Sequence, residues 1–202
     1  MPEPGASAER LPVTVWGDAV DAALAAADAH AWGTAHLDTP VRLVFMPATS
    51  RRPVDAEYAV RADDIVSFAD SYPLLLASAA SLADLNARLD APLPMDRFRP
   101  NVVVDGAAPW AEDAWRRIRI EDVIFQSVKP CGRCSVTTVD QQTAARGKEP
   151  LKTLAAFRRR AETGKVYFGW NLVPETTGTL RAGDLIEVLE RGARPHFNGT
   201  TT

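Results

Sequence analysis

Two cysteines that stand three positions apart, Cys131 and Cys134, are the residues of this chain whose type and spacing could most directly support chemistry. A zinc site built on this pair would need two further ligands. The three histidines are far away in sequence and show no paired spacing: His30, His36 and His196. A thioredoxin-like redox pair needs a helix after its first cysteine, because the helix dipole favours a thiolate. The β-branched run over 135–139 disfavours a helix, so that interpretation lacks its mechanism.

Two other interpretations of the pair remain open. Both cysteines could be small buried residues beside a strand. Alternatively, a single thiolate could bind a soft, high-valent metal, with the positive charge of Arg133 beside it. The spacing of the pair does not separate these two interpretations, so the surrounding residues have to decide between them.

The surroundings of the pair are rich in groups that bind anions. Four basic residues lie at predicted strand ends or in loops: Arg97, Arg99, Lys129 and Arg133. If Arg99, Arg133 and the amide of Asn101 converge, they form a pocket for an anion with a hydrogen-bonding ring, since the arginine fork is bidentate. Each arginine taken singly is explained as a solvated surface charge. Asp140 could orient a proton, although a role in a turn is favoured.

Composition and charge exclude several classes of protein. The chain has 202 residues, a net charge of −3 and 46% hydrophobic residues. Its pI near 5.6 argues against a general nucleic-acid binder. Two cysteines are too few for a disulfide scaffold or a four-cysteine metal site. The chain shows no apolar run of the roughly 20 residues that cross a bilayer and no secretory signal, so we expect a cytoplasmic protein without a membrane partner.

The elements that must position these residues are mostly strands. Residues 1–65 predict a strand over 11–16, a helix over about 19–31 capped by Asp18, a strand over 41–45 and a mobile loop over 47–64. Further strands are expected near 74–76, 102–104, 115–123, 125–128, 135–139, 166–168 and 185–189. A helix from Ser81 to about Leu89, with Asp84 in a capping box, and a helix after Pro150 complete the pattern. The pattern predicts an α+β, predominantly β domain with a barrel-like sheet rather than a doubly wound one.

Four motifs in this order resemble those of MOSC domains, the C-terminal domains of molybdenum cofactor sulfurases. They are Arg97–Gly106 with its Arg-Pro-Asn core, Lys129–Cys134 followed by Thr137–Asp140, Glu149–Leu154, and Phe168–Leu172 followed by Gly183-Asp184. The resemblance covers roughly residues 70–190. It implies a MOSC-type β-barrel with a few flanking helices. We therefore expect a MOSC domain over 66–190, a remnant of the family's N-terminal barrel region over 1–65 and a disordered tail over 191–202.

The branch that the chain resembles most comprises the amidoxime-reducing and hydroxylaminopurine-reducing proteins. This resemblance implies a molybdenum cofactor of the molybdopterin type and reduction of N-hydroxylated small molecules. It implies that electrons come from a separate flavoprotein or ferredoxin-type partner. It also implies that Cys134 is the catalytic metal ligand. The implied cofactor contacts are Arg99, Asn101, Gly132, Arg133, Ser71, Tyr72 and Asn171.

The chain departs from the family pattern at several places. Tyr72 stands where members often have Ser, Gly132 replaces the Ser of some members, and Asn171 stands where other members have Tyr. The sequence resembles only the end of the N-terminal region in which a Val-Lys-Ser segment helps to hold the cofactor. The alternatives are therefore a sulfur-carrier or cofactor-handling module with a persulfide on Cys134, or a non-catalytic fragment.

Overall fold

A computed structural model of the chain describes residues 3–197. Its contacts divide the chain into two compact units, Met1–Ala56 with Asp63–Ser71, and Glu57–Ala62 with Tyr72–Thr202. Within the described residues the structure contains nine strands and three α-helices, and most of the regular structure is sheet. The expected α+β, predominantly β fold class is therefore confirmed.

The first unit is a three-stranded antiparallel sheet with one helix. It contains β1 (Arg10–Val15), β2 (Asp18–Leu24), α1 (Ala27–Leu37) and β3 (Val44–Phe45), with the strands in the order β1-β2-β3. The helix expected over 19–31 is wrong in its first half, because that segment is strand β2. Trp16 and Gly17, with φ of 53° and 100°, form the two-residue turn of a hairpin that pairs β2 with β1. Strand pairing here overrides the helix propensity of the alanines.

The loop that follows β3 is irregular but anchored by one buried arginine. Arg52 is 3% exposed. Its guanidinium pairs with Asp18 at 2.8 Å and donates to the carbonyl oxygens of Ser67 and Asp70 at 2.9 and 3.0 Å. An isolated bridge joins Pro53 to Ile65. The Arg52 guanidinium thus supplies hydrogen-bond donors to carbonyl oxygens of the loop that are not paired within a β-strand.

The second unit is built on a curled six-stranded sheet of half-barrel type. Its strands are β4 (Leu74–Ser78), β5 (Val102–Val104), β6 (Trp115–Ile120), β7 (Val123–Arg133), β8 (Val166–Pro174) and β9 (Ile186–Arg191). Their spatial order is β5-β4-β8-β7-β6-β9, and every pair is antiparallel except β4 with β5. Two helices flank the sheet, α2 (Ala79–Asn86) and α3 (Leu151–Phe157).

Two apolar clusters hold the second unit together, and one of them anchors the motif that carries Arg99. In that cluster the rings of Phe98 and Phe168 are fully buried and stack with centroids 3.9 Å apart. Leu85 of α2 and Leu154 of α3 pack in the same cluster. Burying a side chain of this size contributes about 1.5–3 kcal/mol. Phe98 therefore fixes the backbone from which the next residue, Arg99, extends.

Two local expectations for the second unit are corrected by the structure, and the disordered tail expected over 191–202 stays a prediction. Helix α2 is capped by Ser78, whose Oγ accepts from the Ser81 N–H, so Ser81 is not the cap and Asp84 has no capping-box role. Residues 135–139 do not form a strand, because Ser135–Thr138 is a short 3-10 helix. The chain past β9 is packed as far as it is described: the Gly192 N–H donates to a carbonyl at 2.8 Å and Phe197 is 1% exposed. Residues 198–202 of the expected tail lie outside the described part.

Candidate active site

Cys134 lies directly after β7 and its side chain is exposed to solvent. Its backbone is extended, with φ of −113° and ψ of 179°, and it precedes the 3-10 helix Ser135–Thr138. Three residues of extended chain span about 10 Å, which is beyond the Cα separation that a disulfide tolerates. The geometry therefore argues against a disulfide between Cys131 and Cys134. The exposure of Cys134 also excludes the interpretation in which both cysteines are buried packing residues.

Cys131 has a different environment from Cys134, because its sulfur contacts an arginine. Arg133 Nη1 donates to Cys131 Sγ at 2.9 Å, and Nη2 donates to the carbonyl oxygen of Phe98 at 2.7 Å. The Arg133 guanidinium also lies 5.5 Å from the centroid of the Phe98 ring. Arg133 Nε is buried and has no hydrogen-bond partner among the described residues. Both terminal nitrogens of Arg133 are thus engaged within the described part of the protein, whereas the buried Nε is a donor without a partner there.

A half-buried ion pair joins the Arg-Pro-Asn motif to the segment after Cys134. Arg97 is 8% exposed, and its Nη2 lies 2.8 Å from Asp140 Oδ2. Asp140 Oδ1 also accepts from the N–H and hydroxyl of Thr143, at 2.9 and 2.8 Å. These Thr143 contacts, and then Gln142 and Arg97, lower the pKa of Asp140 to about 2. Asp140 is therefore a turn residue, as favoured from the sequence, and an ion-pair partner as well.

Arg99 and Asn101 follow the Phe98 anchor and present different groups. Arg99 has a left-handed backbone, φ 53°, and an exposed side chain that forms no ion pair among the described residues. Asn101 Oδ1 accepts from the Leu75 N–H at 2.9 Å, and the Asn101 N–H donates to the Leu75 carbonyl at 2.9 Å. Because this contact engages the amide oxygen, the amide NH2 is the group that Asn101 can offer to a ligand.

The sheet places Asn171 in one row with Leu75 and Lys129. Asn171 on β8 pairs with Leu75 on β4 and with Lys129 on β7, so the three side chains share one face. Lys129 Nζ lies 4.1 Å from the centroid of the Tyr58 ring, which in turn meets Tyr72 edge to face at 5.8 Å. Desolvation is the largest single influence on the Lys129 pKa and lowers it, but the combined contacts with Tyr58 and Tyr72 raise the pKa overall.

Gly132 and Ser71 complete the candidate set. Gly132 is exposed on β7 opposite Tyr167, and a Cβ at this position would lie 3.4 Å from Lys165 Cδ. Ser71 is exposed and belongs to the first compact unit, whereas all the other candidates belong to the second. Within the second unit, the contacts of Arg97 and Arg133 bring Arg99 and Cys134 to one region.

Sequence reasoning missed a buried polar network that includes Trp170 of β8. Asp113 and Arg158 form a bidentate pair at 2.6 and 2.9 Å with side chains only 4% and 3% exposed, and Trp170 Nε1 donates to Asp113 at 3.1 Å. Beside it, burial raises the pKa of Glu112, whose Oε1 accepts from Ser81 Oγ at 2.6 Å. No local pattern announces this network, because its members are separated by up to 57 residues.

The described residues contain neither a further candidate metal site nor a candidate membrane-spanning helix. No group of three or more His, Cys, Asp or Glu side chains is arranged there to bind a metal ion. None of the helices in residues 3–197 has the length and hydrophobicity of a membrane-spanning helix.

Comparison with known proteins agrees with the four motifs. The family model of the MOSC domain matches residues 63–187. The Homo sapiens protein named mitochondrial amidoxime-reducing component 1 is 40% identical over 168 residues, which cover 78% of this chain and 50% of that protein. Mitochondrial amidoxime reducing component 2 of Rattus norvegicus is 40% identical over 126 residues, 59% of this chain and 37% of that protein. Molybdenum cofactor sulfurase of Oryza sativa subsp. japonica is 40% identical over 115 residues, 52% of this chain and 14% of that protein. The chain spans about half the length or less of these curated relatives.

Proposed function

The chain belongs to the MOSC domain family, and we propose from this premise that it binds a molybdenum cofactor and reduces N-hydroxylated compounds. The observation that carries the proposal is the exposed thiol of Cys134 at the end of β7, beside arginines held by contacts with Phe98 and Asp140. Two of the relatives are named for amidoxime reduction, which is the reason for choosing this chemistry.

The residues present fit such a cofactor by the chemistry of their donors. A thiolate is the appropriate protein ligand for a soft, high-valent metal. Arg99 offers a guanidinium without an ion pair in the described structure, and Asn101 offers its amide NH2. Arg133 adds a buried Nε without a partner among residues 3–197. Donors without acceptors are what a phosphate-bearing, hydrogen-bonding ligand requires.

The roles of the chain's own residues follow from this fit. Cys134 would hold the metal, and Arg99, Asn101 and the Gly132 N–H would hold the phosphate and the ring system. Arg133 would set the position of the Cys134 backbone, since Cys131 and Phe98 fix its side chain. Asn171, Tyr72 and Ser71 stay predictions as cofactor contacts. The bound cofactor would supply the two-electron redox chemistry.

The overall reaction consumes two electrons and two protons for each substrate. An N–OH group becomes N–H, and the oxygen leaves as water. The electrons would come from a separate flavoprotein or ferredoxin-type protein. The cytoplasmic location stays a prediction, and two of the relatives described above are named as mitochondrial.

The decisive experiment compares two single variants produced in a host that makes the molybdopterin cofactor. Molybdenum content is measured by elemental analysis, and reduction of benzamidoxime is measured with a reduced viologen dye as electron donor. Cys134→Ser is expected to lose both molybdenum and turnover while circular dichroism stays unchanged, whereas Cys131→Ser retains most of both. Full turnover in Cys134→Ser contradicts the proposal, as does a wild-type chain without molybdenum.

A second candidate function is a sulfur-carrying or cofactor-handling module. It is favoured by the similarity to a molybdenum cofactor sulfurase and by the exposure of Cys134, which a persulfide requires. Mass spectrometry of the purified chain would then show one added sulfur on Cys134 that a reductant removes. A chain that carries molybdenum and no added sulfur excludes this candidate.

A further inference from the structure

Basic side chains are concentrated in one part of a chain that is acidic overall. Residues 129–165 contain nine Lys or Arg and three Asp or Glu, whereas the whole chain carries a net charge of −3. Four of these cations are exposed and form no ion pair among the described residues: Arg146, Lys148, Arg159 and Lys165. We call these four residues the basic rim.

Backbone pairing places two members of the basic rim beside the end of β7. Arg133 pairs with Val166 in the antiparallel sheet, so the register continues with Lys165 opposite Cys134. Lys165 Cδ is also the closest heavy atom to a Cβ built on Gly132, at 3.4 Å. Arg159 forms a bridge with the same Val166, on the side away from Arg133. Arg159 is therefore about two strand spacings, ~10 Å, from Arg133.

The other two members lie beside the segment that follows Cys134. The 3-10 helix that begins after Cys134 ends at Thr138, whose carbonyl oxygen accepts from the Gly147 N–H at 2.9 Å. Gly147 stands between Arg146 and Lys148, and Arg146 itself bridges to Val139. Backbone contacts thus attach one pair of exposed cations to the end of β7 before Cys134, and the other pair to the segment after it. Each carboxylate of residues 129–165 lies near a cation outside the basic rim: Asp140 is 2.8 Å from Arg97, Glu149 is 4.0 Å from Lys152 and Glu162 is 3.7 Å from Arg160.

Arginines elsewhere on the same sheet are arranged differently. Arg117 pairs with Glu175 at 2.7 Å, and Arg119 pairs with Glu187 on the neighbouring strand. The positive charges of Arg117 and Arg119 are each balanced by a neighbouring carboxylate, whereas the four positive charges of the basic rim sum to a net positive potential. Like charges that stay unpaired around one point generate a field that attracts an oppositely charged surface and accelerates its association.

We propose that the basic rim is the docking surface for an acidic electron-carrier protein, which it places over Cys134. The inference rests on the proposed function, since that reaction needs two electrons from outside the chain. Charge complementarity raises the rate of encounter and fixes the orientation of the carrier. The overall acidity of the chain disfavours nucleic acid as the partner of this surface.

The test uses an acidic plant-type ferredoxin as the probe and the basic carrier cytochrome c as its opposite. The dissociation constant of each is measured by calorimetric titration at low and at physiological ionic strength. Ferredoxin is expected to bind, and more weakly at the higher ionic strength. The double variant Arg159→Glu/Lys165→Glu should weaken this binding by about tenfold or more, whereas the exposed control Arg181→Glu leaves it unchanged.

Three results would overturn the docking proposal: ferredoxin affinity that is absent or independent of salt, equal weakening by Arg181→Glu, or tighter binding of cytochrome c or of a DNA oligonucleotide. Molybdenum content and dye-driven benzamidoxime reduction are measured on the same variants and should stay at wild-type levels. A chain that lacks molybdenum and dye-driven turnover contradicts the proposed function, whereas the ferredoxin titration reports on docking alone.

Discussion

Arg133 Nη1 lies 2.9 Å from Cys131 Sγ, so the first cysteine of the pair contacts the arginine and not the second cysteine. The same guanidinium donates to the carbonyl oxygen of Phe98 at 2.7 Å. Cys131 therefore helps to hold the end of β7 against the segment that carries Arg99. The two cysteines have different tasks despite their short separation, and this difference can be tested.

Replacing Cys131 by Ala should weaken cofactor retention without abolishing it. The substitution removes one contact of Arg133 and leaves the proposed metal ligand Cys134 in place. Residues that orient a ligand typically change metal affinity by about 10- to 100-fold. Molybdenum retained after exhaustive dialysis measures the effect, with Cys131→Ser as the milder control. Losses equal to those of Cys134→Ser would instead indicate that the cysteines act as a pair.

Acid should weaken the contacts that the Asp140 carboxylate makes with Thr143, Gln142 and Arg97. Because the folded-state pKa of Asp140, about 2, is below its ordinary value of 3.8, the ionised form contributes stability above pH 3.8. That contribution is lost as the pH falls from 3.8 through 2. Urea unfolding between neutral pH and pH 2 measures the loss in the wild type and in Asp140→Ala. The variant should be less stable at neutral pH and should lack this part of the acid dependence. If the two proteins had the same free energy of unfolding at every pH, the stabilising role of the Asp140 carboxylate would be contradicted.

Breaking the buried pair between Asp113 and Arg158 should be costly. Asp113→Ala leaves the Arg158 guanidinium buried without its bidentate partner, which is expected to reduce the free energy of unfolding by about 3–5 kcal/mol. The matched control is Arg119→Ala, which breaks an exposed pair and should cost about 1 kcal/mol or less. Chemical denaturation of both variants gives the comparison. Similar losses in the two variants would show that burial does not set the cost.

Gly169 should not tolerate a side chain. Its φ is 79°, and a Cβ there would lie 2.6 Å from the carbonyl oxygen of Leu76 on the neighbouring strand. Gly183 has a similar φ of 96° but open space around it. Gly183→Ala therefore measures backbone strain alone, about 1–3 kcal/mol, and Gly169→Ala should lose more because the clash adds to the strain. Equal thermal unfolding shifts for the two variants would contradict the close approach seen in the sheet.

Local patterns in the sequence were sufficient where the chain's own neighbours decide its conformation. The alternation from Trp115 to Ile120 predicted β6, and Pro150 predicted the start of α3. The β-rich rhythm predicted the fold class, and the order of four motifs indicated the family that the comparisons show. These signals are carried by residues close in sequence, so they can be recognised without the fold.

Local sequence patterns predicted the wrong secondary structure where contacts with residues outside the segment determine its conformation. The alanines of Asp18–Leu24 favour a helix by propensity, but pairing with β1 makes the segment a strand. The β-branched residues of Ser135–Thr138 favour a strand, but the segment forms a 3-10 helix. Its side chains take part in this turn, since the Thr137 hydroxyl donates to the Cys134 carbonyl.

The sequence by itself determined which residues could do chemistry, and the tertiary structure decided which of them meet. Cys134, Arg99 and Asn101 were recognisable as a thiol and two anion-binding groups. Only the fold showed that Arg97 reaches Asp140 across 43 positions and that Arg133 reaches Phe98 across 35. Hydrogen bonds and ion pairs act over a few ångströms, so their partners are set by the paths of the strands and not by separation along the chain.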